Sequence, residues 1–141
     1  MSTPFQILKD NKTIEKFLKK QGVILSYLFG SMARGEAHKE SDVDIAILFN
    51  EKINDKKYLK KEGELIIFFS SFFSKREINI VNLNISSPLL RQSVILEGKI
   101  IYLKNELIRI FFEMQALKEY EDYLHLSEIY NTVSREKIRA L

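Results

Sequence analysis

The sequence predicts an α/β (α+β) chain, a small β-sheet flanked by helices. Two observations carry this. Short β-prone runs recur at 23–29, 42–49, 77–83 and 99–103. Between and after them lie longer stretches whose apolar residues follow the i, i+3, i+4 spacing of helices. The resulting order is α-β-turn-β-α-β-α-β-α, which a sheet covered by helices satisfies.

Each element has its own grounds. From Asp10 to Lys20, Ile14, Phe17 and Leu18 mark an amphipathic helix that Gly22 stops. Val23 to Phe29 (VILSYLF) is a buried strand feeding a turn at Gly30. Asp42 to Phe49 (DVDIAILF) is a second strand. The period of two places Val43, Ile45, Ile47 and Phe49 on one face, and Asp42, Asp44, Ala46 and Leu48 on the other. Asn54 or Asp55 caps a helix expected to run to about Phe73. The run LIIFFSSFF alone is compatible with a strand, but the preceding KKYLKKEGEL has little β character, so helix is preferred. Glu77 to Leu83 reads as the third strand and Lys99 to Leu103 as the fourth. Between them a helix starts at Pro88 and ends at Gly98. From Asn105 the pattern is helical to nearly the end, with Leu107, Phe111, Met114 and Leu117 expected on one face, covering the sheet.

Composition narrows the chemistry. With 141 residues, 45% apolar, the length fits one domain over 1–141. Lys+Arg 22 against Asp+Glu 19 leaves +3, too small a surplus to name a nucleic-acid partner, and no specific nucleic-acid binding is expected. The absence of cysteine excludes disulfides, thiolate metal sites and a Cys nucleophile, and His38 and His125 cannot make a His-rich zinc site. The longest apolar stretch, Leu65 to Phe73, is far short of the ~20 residues a membrane span needs. A cytoplasmic location without membrane contact is therefore expected.

The segment with chemical content is GSMARGEAHKESDVDIAIL, from Gly30 to Leu48. Glycine directly after a buried strand permits close backbone approach, and the Ser31 hydroxyl with the following N–H groups can hold phosphate oxygens. Asp42 and Asp44, two apart on a strand, send both carboxylates from one face, ~6.5–7 Å apart along the backbone. There they can converge on a hard divalent cation such as Mg²⁺. Ten residues, Met32 to Ser41, let the chain leave one strand and return beside it. Taken singly, a Gly-Ser is an ordinary turn and an Asp-x-Asp a solvated strand start. Together they place two like charges on one face, which folding does not favour without a cation.

This run resembles the G-S-x10-D-x-D signature of the DNA polymerase β-like nucleotidyltransferase superfamily. The short length, the form G-S-x-A-R-G and the tail SPLLRQSVILEGKIIY are similar to the minimal nucleotidyltransferases (MNT), commonly encoded beside a HEPN-domain toxin that they neutralise. The likeness spans about Val23 to Leu103. It implies a mixed-sheet nucleotidyltransferase fold, ATP and Mg²⁺ as cofactors, and AMP transfer to a tyrosine of the partner toxin in a hetero-oligomeric, type VII-like pair. On that likeness Asp42 and Asp44 hold metal, while Gly30, Ser31 and Arg34 meet the nucleotide. The R-x(4–6)-H ribonuclease signature of HEPN toxins is missing, because Arg34 and His38 are too close, so the chain resembles the antitoxin side.

One position departs from the family. A third acidic residue is expected on a later strand, and the matching residue in REINIVNL is Asn79. An amide offers a carbonyl oxygen to a metal but cannot act as a general base. Glu77 shares the expected face and is a candidate substitute, although displaced by two residues, ~6.6 Å. Slow transfer, transfer using Glu77, and neutralisation by binding alone all remain open at this point. So does a nucleotidyltransferase for a small hydroxylated acceptor such as an aminoglycoside.

Other residues have plainer alternatives. Arg34 and His38 also fit as solvated loop residues. Lys56, Lys57, Lys60 and Lys61 form a basic run that reads as a solvated helix face, or as a contact to toxin or RNA. In the last helix Tyr120, Tyr123, Leu124 and Tyr130 extend past the expected end of the sheet, suiting a partner or self-association surface.

Overall fold

A computed structural model describes residues 3–30 and 42–141. The described strands are β1 (Val23–Phe29), β2 (Val43–Phe49), β3 (Ile78–Asn82) and β4 (Lys99–Leu103). The helices are α1 (Pro4–Leu8), α2 (Lys12–Lys20), α3 (Tyr58–Ser70), α4 (Pro88–Glu97) and α5 (Glu106–Arg139).

The sheet order is β3-β2-β1-β4. β1 runs antiparallel to β2 and β4, while β2 and β3 are parallel. A parallel pair requires a crossover, and α3 supplies it. Alternation along β2 divides the core as the sequence predicts. Val43, Ile45, Ile47 and Phe49 join one buried cluster with Leu8, Ile14, Leu18, Leu65 and Phe69 from the first three helices. Ala46 and Leu48 join the other, with Tyr27, Leu83 and Val94 and with Ile108 and Phe112 of α5.

Several boundaries move. The chain opens with a helix that the sequence reading missed, α1, in which Thr3 and Gln6 form a reciprocal capping box and Pro4 occupies the first turn. The expected helix from Asp10 begins instead at Lys12, because the Asn11 side chain accepts from Thr13 and Ile14 N–H and so caps it. β2 starts at Val43, one residue late, and β3 loses one residue at each end. The helix expected from about residue 54 to Phe73 is a 3-10 turn, Asp55–Lys57, followed by α3, which stops at Ser70. Lys61 donates to the Gln21 carbonyl at the end of α2, so this member of the basic run ties two helices together.

The larger correction concerns α5. Leu107, Phe111, Met114 and Leu117, expected to cover the sheet, are 64%, 67%, 65% and 46% exposed. The covering residues are Ile108, Phe112 and Ala116. Two charged side chains share the inner side. Glu113 accepts a 2.9 Å hydrogen bond from the buried Tyr27 hydroxyl, and Arg109 bonds Glu113 at 2.9 Å. Because these polar groups are paired, they are tolerated where the pattern alone would place apolar residues.

Candidate active site

Asp44 is built into β2 beside Phe29, the last residue of β1, and opposite Asn79 on β3. Asp42 lies one step before the strand and is exposed, whereas Asp44 is half-buried. Both carboxylates point to the face that carries α4 and α5, fixed by parity with Ala46. The Asn79 amide nitrogen donates to Asp44 Oδ1 at 3.0 Å and to Asp42 Oδ2 at 3.3 Å. An acidic pair two residues apart and an amide 35 residues further on thus meet at one end of the sheet, with Asn79 on the side opposite Ile78 and Ile80 as the alternation of REINIVNL predicts.

The donor chemistry suits a hard divalent cation. Two carboxylates converge on a single group, and that group is the positively polarised Asn79 NH₂, standing between them as a cation would. Half a turn of the amide presents its oxygen instead, completing an all-oxygen set. Among the described residues no cluster of three His, Cys, Asp or Glu forms.

Gly30 closes the site from β1. Its φ is +74°, the left-handed region that favours glycine. A side chain there would overlap Asp44 Oδ2 and approach Cγ to 3.3 Å. The sequence reading gave this glycine a phosphate-approach role; its packing against Asp44 was missed, although a glycine after a strand is its only signal. Ser31, Arg34 and His38 lie outside the described residues. Glu77 is exposed, and its backbone carbonyl accepts from Val43 N–H at 2.8 Å. Extending the β2–β3 register by one step sets it level with Asp42. A separate cleft of about 660 Å³, lined by Leu48, Asn84, Arg91 and Phe111, opens toward the other end of β2.

A mixed four-stranded sheet with an acidic pair at the head of its central parallel strand, approached by a glycine turn, defines the nucleotidyltransferase class. Residues 11–107 match the polymerase beta nucleotidyltransferase family, and the chain belongs to that family. It is 30% identical over 123 residues to the protein adenylyltransferase MntA of Shewanella oneidensis, covering 86% of this chain and 81% of that one. A chain of a toxin–antitoxin crystal structure with AMP-PNP superposes with a TM-score of 0.66 at 26% identity, covering 92% of this chain and 98% of that one. The same fold occurs in a complex of a tri-AMPylated Shewanella oneidensis HEPN toxin with an MNT antitoxin, at TM-score 0.62 and 24% identity over 95% of this chain and 98% of that one. No helix among the described residues is long and apolar enough to cross a membrane.

Proposed function

We infer that this chain is one minimal nucleotidyltransferase domain acting as a cytoplasmic antitoxin, which moves AMP from ATP to a tyrosine hydroxyl of a HEPN toxin. The observation that carries this is the meeting of Asp42, Asp44 and Asn79 beside Gly30. The adenylyltransferase relative supports the reaction, and the AMP-PNP complex supports the nucleotide and the toxin partner.

In this reading the tyrosine oxygen bonds to the α-phosphorus, the bond from that phosphorus to the β-bridging oxygen breaks, and pyrophosphate leaves with the electron pair. Asp42 and Asp44 would hold Mg²⁺, which would supply electrostatic stabilisation of the charge that develops during transfer. Gly30 leaves space for the Asp44 carboxylate, and Ser31 and Arg34 grip the triphosphate. Asn79 orients both aspartates but cannot take a proton; Glu77, level with Asp42, takes it from the tyrosine hydroxyl. Positioning and electrostatics dominate phosphoryl-type transfer, so an amide at residue 79 slows the reaction without abolishing it.

The test is label transfer from α-labelled ATP to a HEPN toxin in Mg²⁺, comparing the native chain with the Asp42→Asn, Asp44→Asn double variant. Loss of label is expected, and undiminished transfer would sink the metal assignment. Asn79 also favours a second reading, an antitoxin that neutralises by binding alone. That reading requires neutralisation without ATP or Mg²⁺.

A further inference from the structure

α5 is 34 residues long, but only its first half has anything to cover. Ile108, Phe112 and Ala116 pack on the sheet, and Glu119 pairs with Arg91 near the start of α4. From residue 121 onward every residue is exposed except Ser127 and Ser134, which are half-buried. The face used for packing nevertheless continues. Beyond Ala116 it runs through Glu119, Tyr123, Leu126, Tyr130, Val133 and Lys137, at alternating steps of four and three. That alternation is the seam of a two-helix coiled coil. Leu126 is 65% exposed and Tyr130 72%, so the seam lies open.

The charges along this segment name the occupant. Residues 119–128 hold Glu119, Glu121, Asp122 and Glu128 and no Lys or Arg. Residues 129–139 hold Arg135, Lys137 and Arg139 against Glu136 alone. A second copy aligned parallel stacks like on like. Aligned antiparallel, it lays the basic half over the acidic half. A register centred on Glu128 sets Leu126 opposite Tyr130 and Tyr123 opposite Val133. Glu128 itself points away from the seam, because 3.6 residues per turn put it on the outer side.

We propose that the projecting half of α5 pairs with the same segment of a second copy of this chain as an antiparallel two-helix coiled coil. The paired seam from Tyr123 to Val133 is about 16 Å long. α4 runs antiparallel to α5, since Arg91 near its start meets Glu119 while Gly98 at its end meets Tyr27, whose hydroxyl bonds Glu113. The second copy's helix therefore extends the line of α4, covering the seam beyond the point where α4 begins.

The chain contains no cysteine, which makes crosslinking decisive. Leu126→Cys and Tyr130→Cys variants are prepared separately, then mixed and oxidised. The mixed disulfide is expected to dominate, and the native chain is expected at twice 16.6 kDa by light scattering. Leu126→Asp with Tyr130→Asp returns the monomer with an unchanged melting transition of the sheet domain. A native monomer at tens of micromolar overturns the proposal. So does disulfide formation as efficient within Leu126→Cys alone as in the mixture, or protection of Leu126 only when a toxin is added.

Discussion

Asn79 stands opposite Asp44 across the parallel β2–β3 pair and donates its amide to both Asp44 and Asp42. The amide occupies the space between two carboxylates and relieves their repulsion without metal. Asn79→Asp replaces two hydrogen bonds with a third negative charge. The metal-free variant is expected to lose about 1–3 kcal/mol of stability, recovered on adding Mg²⁺. Its AMP transfer should rise ~10²-fold as a positioned base is restored. Thermal unfolding with and without Mg²⁺, alongside label transfer, checks both.

Glu77→Gln separates the remaining routes for the proton. If Glu77 serves as base, the variant loses about 10–10²-fold in kcat, with the KM for ATP unchanged. In the Asn79→Asp background the same substitution should cost far less, because the nearer carboxylate takes over. An unchanged kcat in the native background would remove Glu77 from the reaction. Equal losses in both backgrounds would show that it acts other than as the base that the Asn79→Asp carboxylate replaces.

Gly30→Ala tests the packing of the turn. Its φ of +74° strains any L side chain, and the added methyl displaces the Asp44 carboxylate. A loss of about 1–3 kcal/mol in stability is expected. Transfer activity should fall further than that loss of folded protein explains, because Asp44 no longer meets Asp42 at the Asn79 amide. Asp44 and activity are then coupled to Gly30 through contact rather than through phosphate binding alone.

The facing of the polar site residues was legible because strand parity is rigid: a period of two puts Asp42 and Asp44 on one face of β2 whatever packs against them. The β2–β3 register then sets Asn79 opposite Asp44. The two core clusters follow from the same alternation in β2. Helix faces were less legible where charged residues point inward. α5 carries two apolar stripes, and Leu107, Phe111, Met114 and Leu117 make the more regular one. The sheet takes Ile108, Phe112 and Ala116 instead, because Tyr27 reaches Glu113 across the layer. That pairing spans 86 residues of sequence, and no local pattern announces it. α1 was missed for the opposite reason, since five residues carry too few apolar positions for periodicity to register.

Tyr27 gives the fold a limit at high pH. Burial, then the facing Glu113 carboxylate, push its phenol far above the usual tyrosine value. The folded state therefore holds the proton when the unfolded state, titrating near ~10, has released it. This contribution is present in full below about pH 9.5, starts to fall as the pH passes the ordinary phenol value and goes on falling toward the much higher value of the folded state. Urea unfolding between pH 8 and 11 should show falling stability, and Tyr27→Phe should flatten the decline while costing about 1 kcal/mol at pH 8.

Arg91 joins three parts of the chain through one guanidinium. Its Nε donates to the Leu83 carbonyl at 2.8 Å, one terminal nitrogen to the Asn84 carbonyl at 3.0 Å, and the other to Glu119 at 2.6 Å. Leu83 follows the strand that carries Asn79, and Glu119 lies near the end of the packed half of α5. Arg91→Ala leaves both carbonyls and a half-exposed carboxylate without this partner, a loss expected at about 3 kcal/mol. Lys cannot reproduce a planar fork aimed at three acceptors, so Arg91→Lys should recover less than half of it. Melting temperatures of the three proteins decide the matter, with about 8 °C expected between native and Ala forms. Full recovery by Lys would reduce Arg91 to a simple positive charge.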